Sequence, residues 1–218
     1  MAPDTPRSLR VSEIFFSLQG EGSRVGLPTV FVRLTGCPLR CTWCDTSHAF
    51  SGGQSMSLAA ILARVAEFPT RQVCVTGGEP LAQKACLDLL TALCDRGYDV
   101  ALETSGALDV SLVDPRVSRI MDLKAPGSGE AKRNRWENLA YLRPHDELKI
   151  IIACRADYEW AKAQLAKYDL ARRCPVLLSP AQGLIEPREL AEWILADGLP
   201  VRFQLQLHKC LWGNIPGR

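Results

Sequence analysis

The sequence predicts an α/β fold, an incomplete, open (β/α) barrel with mostly parallel strands, and three observations lead there. Short β-like runs alternate with helical periodicity along the chain, the pattern of βα units. Unusual polar clusters fall at the C-terminal ends of those runs, where parallel βα folds collect ligands: residues 36–46, 77–80, 103–106, 122–125 and 179–183. A full barrel of eight βα units needs about 250 residues. This chain has 218, and several of its connections are too short for a helix.

In chain order, residues 10–16 read as extended and run into Leu18, Gln19, Gly20 and Glu21. Residues 29–34 (TVFVRL) form a strand that delivers the loop 36–46. Leu58, Ile61, Leu62 and Val65 recur at helical spacing, so 57–68 is an amphipathic helix. Residues 73–76 are a strand ending in Gly-Gly-Glu-Pro. Cys86, Leu89, Leu90, Leu93 and Cys94 share one face of the next helix, which Gly97 stops. Strands at 99–103 and 118–123 follow, then a polar, irregular stretch with a short helix near 136–142. Residues 148–153 (LKIIIA) are a strand, 155–167 a helix and 175–178 another strand. Pro187 suits the first position of a helix that Gly198 ends. The last strand is expected at 201–207.

Composition bounds the reading. Hydrophobic residues make up 47% of the chain and charged ones 23%, the balance of a globular domain rather than a disordered segment. A net charge of +2 gives no sign of nucleic-acid binding. No run of about 18 apolar residues predicts a membrane span. Residues 1–9 lack the apolar stretch of a secretory signal and read as a loosely ordered extension of one domain covering 1–218. Nine cysteines, an odd number, fit a reducing cytoplasmic setting.

Three of those cysteines carry the chemistry. Cys37, Cys41 and Cys44 have C-x3-C-x2-C spacing in one loop, enough to hold three irons of a 4Fe-4S cube and leave the fourth without a protein ligand. A structural zinc site or an electron-transfer cluster normally closes its shell with a fourth ligand. Trp43 offers a flat apolar face beside the open iron. Cys74, Cys86, Cys94, Cys154, Cys174 and Cys210 have no partner at metal-binding spacing and read as buried core thiols.

The cysteine stretch resembles the signature of the radical S-adenosylmethionine (SAM) superfamily, whose fold is a partial (β/α) barrel. The resemblance implies that SAM occupies the open iron. Gly78 and Glu79 then resemble the segment that holds the SAM amino group, Glu79 supplying an acceptor. Glu103, Thr104 and Ser105 resemble the ribose-contacting strand end. Asp122, Leu123, Lys124 and Ala125, with Ser179, Pro180, Ala181 and Gln182, resemble later SAM-contacting strand ends. Their alternative is ordinary turn and capping chemistry.

Narrower features, the FSLQGEG run at 16–22, Cys44-Asp45-Thr46 and His208-Lys209-x-x-Trp212-Gly213, resemble the 7-carboxy-7-deazaguanine synthase family of queuosine and 7-deazapurine biosynthesis. That resemblance implies ring contraction of 6-carboxy-5,6,7,8-tetrahydropterin with loss of ammonia, by a 5′-deoxyadenosyl radical generated from SAM, which is regenerated. It places Trp43 and Asp45 beside SAM and Thr46 on Mg²⁺. It places Leu18, Gln19, Gly20, Arg33, Thr76, His208 and Pro216 around the substrate. Gln19 has the paired donor and acceptor to read a pterin edge, and Arg33 the fork to clamp a carboxylate. A flavodoxin-type reductant and a homodimer are implied as well. Two alternatives stay open: an activase of a glycyl-radical enzyme, and an iron–sulfur electron carrier or zinc-stabilised module without SAM chemistry.

Overall fold

The computed structural model describes residues 8–213, 215 and 217. Strand β1 (Ser8–Leu18) runs antiparallel to β2 (Pro28–Leu34) on one side and to the short β3 (Gln54–Ser57) on the other. From β2 onward every pairing is parallel, through β4 (Gln72–Gly77), β5 (Asp99–Thr104), β6 (Ser118–Asp122), β7 (Glu147–Ile152), β8 (Val176–Pro180) and β9 (Arg202–Phe203). The order β3-β1-β2-β4-β5-β6-β7-β8-β9 leaves β3 and β9 as edges, so the nine-stranded sheet is open. The connection from β5 to β6 carries no helix, and that from β6 to β7 only 3-10 turns.

Alternation along the strands sorts the residues onto two faces. Val30, Val32, Val73, Val75, Leu102, Ile150 and Leu178 enter one large core with the helices. Those helices are α1 (Leu58–Ala66), α2 (Cys86–Asp95), α3 (Arg155–Tyr168) and α4 (Pro187–Asp197). Their apolar positions recur every three to four residues, Ser57 caps α1 through the Ala60 amide, and Gly198 ends α4 at φ +57°. The opposite face begins with a small apolar cluster of Phe31, Cys74, Ala101 and Ile120, with Phe15 packed on it. Two residues further toward the C-terminal ends the same face turns polar, as Arg33, Thr76, Glu103 and Asp122. That change of character along one face positions the site.

Several boundaries differ from expectation. Ser8 and Leu9 belong to β1 rather than to the N-terminal extension, because Leu9 pairs with Met56 of β3 and is fully buried. Residues 1–7 lie outside the described residues. The strand expected at 201–207 is only Arg202–Phe203. There the Gln204 side chain turns to the backbone of Gly22, accepting from its amide at 2.8 Å and donating to its carbonyl at 3.2 Å. The chain then forms a short helix, α5 (Leu207–Trp212). Cys74, Cys86, Cys94 and Cys174 are buried as expected, but Cys154 and Cys210 are exposed, one before α3 and one within α5. No helix among the described residues is long and apolar enough to cross a membrane.

One buried ion pair ties β6 to the segment before β7. Arg119 of β6 is 2% exposed, and its guanidinium donates to Asp146 at 3.1 Å and to the Tyr141 carbonyl at 2.6 Å. Asp146, fully buried, also accepts from the amides of Arg119 and Arg143. Removing one member strands the other in a low-dielectric interior. Asp146→Ala is therefore expected to destabilise the fold by about 3–5 kcal/mol. The urea midpoint measures this; a shift no larger than that of an exposed control such as Arg188→Ala would refute it.

Candidate active site

The mouth of the sheet is built from the cysteine loop upward. Gly36 receives a hydrogen bond from Glu79 N and donates to Ala49 O, both at 2.8 Å, so the loop is tied to two neighbouring segments. A Cβ on Gly78 would stand 2.4 Å from Gly36 O and 2.8 Å from Cys37 Cβ. Only glycine allows that approach. Thr42 is fixed from the far side, its amide and hydroxyl donating to Ser128 O and Gly127 O, each at 3.1 Å. Cys37, Cys41 and Cys44 remain free, half-buried thiols. Burial raises the pKa of Cys37 and Cys41, and the ammonium of Lys124 opposes it at both.

These residues fit the group that the sequence predicts. Each thiolate of a cube binds a different iron, so the three sulfurs need not converge on one ion. Indeed no three His, Cys, Asp or Glu side chains among the described residues converge as ligands of a single metal ion. Ser179 adds a buried hydroxyl that finds no hydrogen-bond partner among the described residues, at the strand end expected to meet SAM. Trp43, Asp122, Leu123, Lys124 and Ala125 come together around a narrow cleft, joined by Ile151 of β7. Of the 179–182 turn, Ala181 is buried and bonded to Ile152 O, while Gln182 is exposed.

Two of the expected residues are engaged by protein groups. Glu79 is fully buried, and its carboxylate accepts from Leu81 N, Thr104 Oγ1, Ser105 N and Ser105 Oγ. With those protein donors around it, Glu79 locks the strand ends of β4 and β5 together. Ser105 gives its hydroxyl to the same lock. Gln19 also turns inward: its Oε1 accepts from the amides of Gly20 at 2.8 Å and Glu21 at 3.3 Å. It therefore shapes its own loop and retains only Nε2, 3.4 Å from Glu103, to face the mouth.

On the inner face Arg33, Thr76 and Glu103 stand side by side across β2, β4 and β5. Thr76 Oγ1 donates to Glu103 at 2.7 Å, and Arg33 Nε to Glu13 at 2.7 Å. Glu13 thus holds the Nε edge of the guanidinium, whose Cζ lies 5.6 Å from the centroid of the Phe15 ring. Further along, Lys149 sits between Asp122, at 3.5 Å, and Glu21. Burial alone lowers the pKa of this lysine, but Asp122 and Glu21 outweigh it and hold the group well above its ordinary value.

The C-terminal segment closes the mouth. Leu207 N donates to Gly20 O at 3.0 Å, and the imidazole of His208 lies so close that a Cβ on Gly20 would stand 2.1 Å from Nδ1. Burial lowers the His208 pKa, so the imidazole is neutral at neutral pH. Gln206 bridges Glu21, at 2.6 Å, and Asp45, at 3.3 Å, and Lys209 pairs with Asp45 at 2.7 Å. Burial acts to raise the Asp45 pKa, yet Lys209 and Thr46 bring it well below the carboxylate range. Thr46 Oγ1 donates to Asp45 at 2.9 Å. Its oxygen is a hard donor beside a fixed carboxylate, suited to an Mg²⁺ that keeps waters and substrate oxygens as its other ligands. Leu18 ends β1 beneath this loop, and Pro216 lies outside the described residues.

The sequence reading named neither Lys149, Gln204 nor Gln206, which the fold brings to the mouth, and gave Lys209 no role of its own although it stands in the C-terminal motif. Lys149 had a signal, a single charge inside the apolar run LKIIIA. The two glutamines had none, since only the fold brings residue 206 to residues 21 and 45.

Comparison with known proteins agrees with this geometry. The family model of the radical SAM superfamily matches residues 31–124. A 7-carboxy-7-deazaguanine synthase from Chlorobaculum tepidum is 49% identical over 95% of this chain and 96% of its own length. One from Koribacter versatilis is 42% identical over 94% and 97%. Among solved structures, the crystal structure of QueE from Escherichia coli superposes with a TM-score of 0.75 at 25% identity, covering 92% of this chain and 95% of that one. The open parallel sheet, the three-cysteine loop and these likenesses place the chain in the 7-carboxy-7-deazaguanine synthase family of the radical SAM superfamily.

Proposed function

We propose that this chain is a single-domain radical SAM lyase that converts 6-carboxy-5,6,7,8-tetrahydropterin to 7-carboxy-7-deazaguanine with loss of ammonia. The observation that carries the reading is convergence: the cysteine loop, the Gly77-Gly78 cradle, Thr46 and the 19–23 loop meet at one mouth of the sheet. An activase would have no use for Thr46 or for the loop and helix closing over it. An electron carrier would have no use for an open iron.

Cys37, Cys41 and Cys44 hold the 4Fe-4S cluster. SAM lies along Trp43, Asp45, Gly78 and the strand ends at Glu103, Ser105, 122–125 and 179–182. When bound, these two groups supply the one-electron chemistry that opens the pterin to rearrangement. The chain's own residues bind and orient. Arg33 meets the substrate carboxylate with its guanidinium, and Thr46 presents Mg²⁺ to substrate oxygens. Gly20, Thr76 and neutral His208 line the pterin, while Gln206 and Lys209 keep the loop and α5 closed against water. Glu79 and Gln19 act as positioning residues. A flavodoxin-type reductant, a homodimer and a cytoplasmic setting complete the reading.

Reconstituted anaerobically with dithionite, SAM, Mg²⁺ and the tetrahydropterin, the protein is expected to form 7-carboxy-7-deazaguanine without stoichiometric consumption of SAM. Mass spectrometry reads both; cleavage of SAM with the pterin intact would sink the substrate assignment. Thr46→Ala should lower turnover about tenfold or more and blunt its dependence on Mg²⁺. An unchanged magnesium titration would remove Thr46 from the metal site.

The two close glycines separate the halves of the site. Gly20→Ala pushes His208 and α5 outward, and a displacement of about 1 Å costs up to about 100-fold in kcat/KM for the pterin. Calorimetric SAM binding should be untouched. Gly78→Ala collides with backbone at Gly36 instead, and should abolish SAM binding and reduce the iron retained. If both variants lose SAM binding equally, the mouth is not divided in this way.

A further inference from the structure

We infer that the basic turn at Lys132 and Arg133 is the docking surface for an acidic one-electron carrier protein that feeds the cluster. The inference rests on the radical SAM reading of the cysteine loop. The turn is a 3-10 segment, Ala131–Arg133, in which both cations are exposed, and neither has a carboxylate within ion-pair distance among the described residues.

The turn is held at both ends against the cysteine loop. On one side the Glu130 carboxylate accepts from the backbone amide of Arg40, between Cys37 and Cys41, at 2.6 Å. On the other, Asn134 is buried and brackets the Lys124 backbone, accepting from its amide at 2.8 Å and donating to its carbonyl at 2.9 Å. Two residues of chain reach at most about 7 Å, so Lys132 stays near the contact that Glu130 makes with the loop. Arg40 adds a third exposed cation. Its guanidinium donates to Cys37 O and Leu39 O and stacks on Phe50 with 4.3 Å from Cζ to the ring centroid. Glu130 bonds the Arg40 backbone amide, and Asp109 pairs with Arg135 rather than with the turn.

Exposed cations outside any ion pair among the described residues, on a turn hydrogen-bonded to the cysteine loop, suit a short-lived encounter. Redox complexes bury small interfaces and depend on charge for encounter rate and orientation. The sign of the patch selects an acidic partner. One electron passes from the reduced centre of the carrier to the cluster held by the three cysteines; the carrier is oxidised, the cluster is reduced, and no bond or proton moves.

The test uses the reconstituted holoenzyme and reduced flavodoxin as the probe. Stopped-flow bleaching of the cluster measures electron entry, and calorimetry at two salt concentrations measures binding. Lys132→Glu with Arg133→Glu should slow flavodoxin-driven reduction about tenfold or more and flatten its salt dependence. Dithionite-driven turnover and SAM affinity should stay at wild-type values, which also keeps this test separate from the assignment of the reaction. Arg188→Glu, on helix α4, reverses one exposed charge and should change neither rate. The milder Lys132→Ala with Arg133→Ala should give a smaller effect of the same sign. The inference is overturned if the Arg188 control slows flavodoxin equally, if the double variant leaves it unchanged, or if dithionite-driven turnover falls alongside.

Discussion

The site depends on where one buried lysine finds its counter-charges. Lys149 projects from the middle of β7 onto the inner face, where an unpaired ammonium would carry a large desolvation cost. Asp122 on the neighbouring strand and Glu21 on the loop after β1 supply the two carboxylates. This satisfies the lysine only if the loop folds down onto the sheet, so the electrostatics of β7 dictate the position of a segment more than a hundred residues earlier in the chain. From there the polar contacts continue without a break. Lys124 pairs with Asp122 on one side, and Glu21 passes through Gln206 to Asp45 and Lys209 on the other.

Such a network is a poor source of net stability, because most of each attraction offsets desolvation. Its value is in register. Every member has a partner of opposite sign or complementary hydrogen-bonding sense, so the loop, the cysteine segment and α5 have one arrangement in which all are satisfied. A mouth held this way is organised before any ligand arrives, which lowers the ordering cost of binding. Close backbone packing does the same for the cluster side. Gly78 against Gly36 and the Glu79 lock on Thr104 and Ser105 leave the cysteine loop little freedom.

Most of the architecture was legible because its signals are local. Short β-like runs ending in polar clusters marked the parallel strands, helical periodicity marked α1 and α2, and Pro187 with Gly198 bracketed α4. The three cysteines carried their chemistry in spacing alone. Where reading and structure part, the cause is a competing contact. Residues 201–207 have strand-like composition, yet beyond Phe203 the Gln204 side chain and the Leu207 amide bond the loop after β1, and α5 begins. Glu79 and Gln19 have the functional groups that a ligand needs, yet neighbouring amides and hydroxyls occupy them. Residues 54–57 lack any strong strand signal and pair with β1 because the edge is there to be paired.

By itself, then, the sequence determined the class of fold, the place of the cysteine loop at the end of β2, and the kind of cofactor that three thiols and an open iron require. Those follow from short-range rules: side-chain periodicity, the conformational freedom of glycine and ligand spacing. Only the tertiary structure decided which polar groups face the mouth and which are consumed in building it. A carboxylate or amide shows its chemistry in its name but its availability only through its neighbours. Here those neighbours are set by sheet register and by a C-terminal segment that returns to the first loop of the chain.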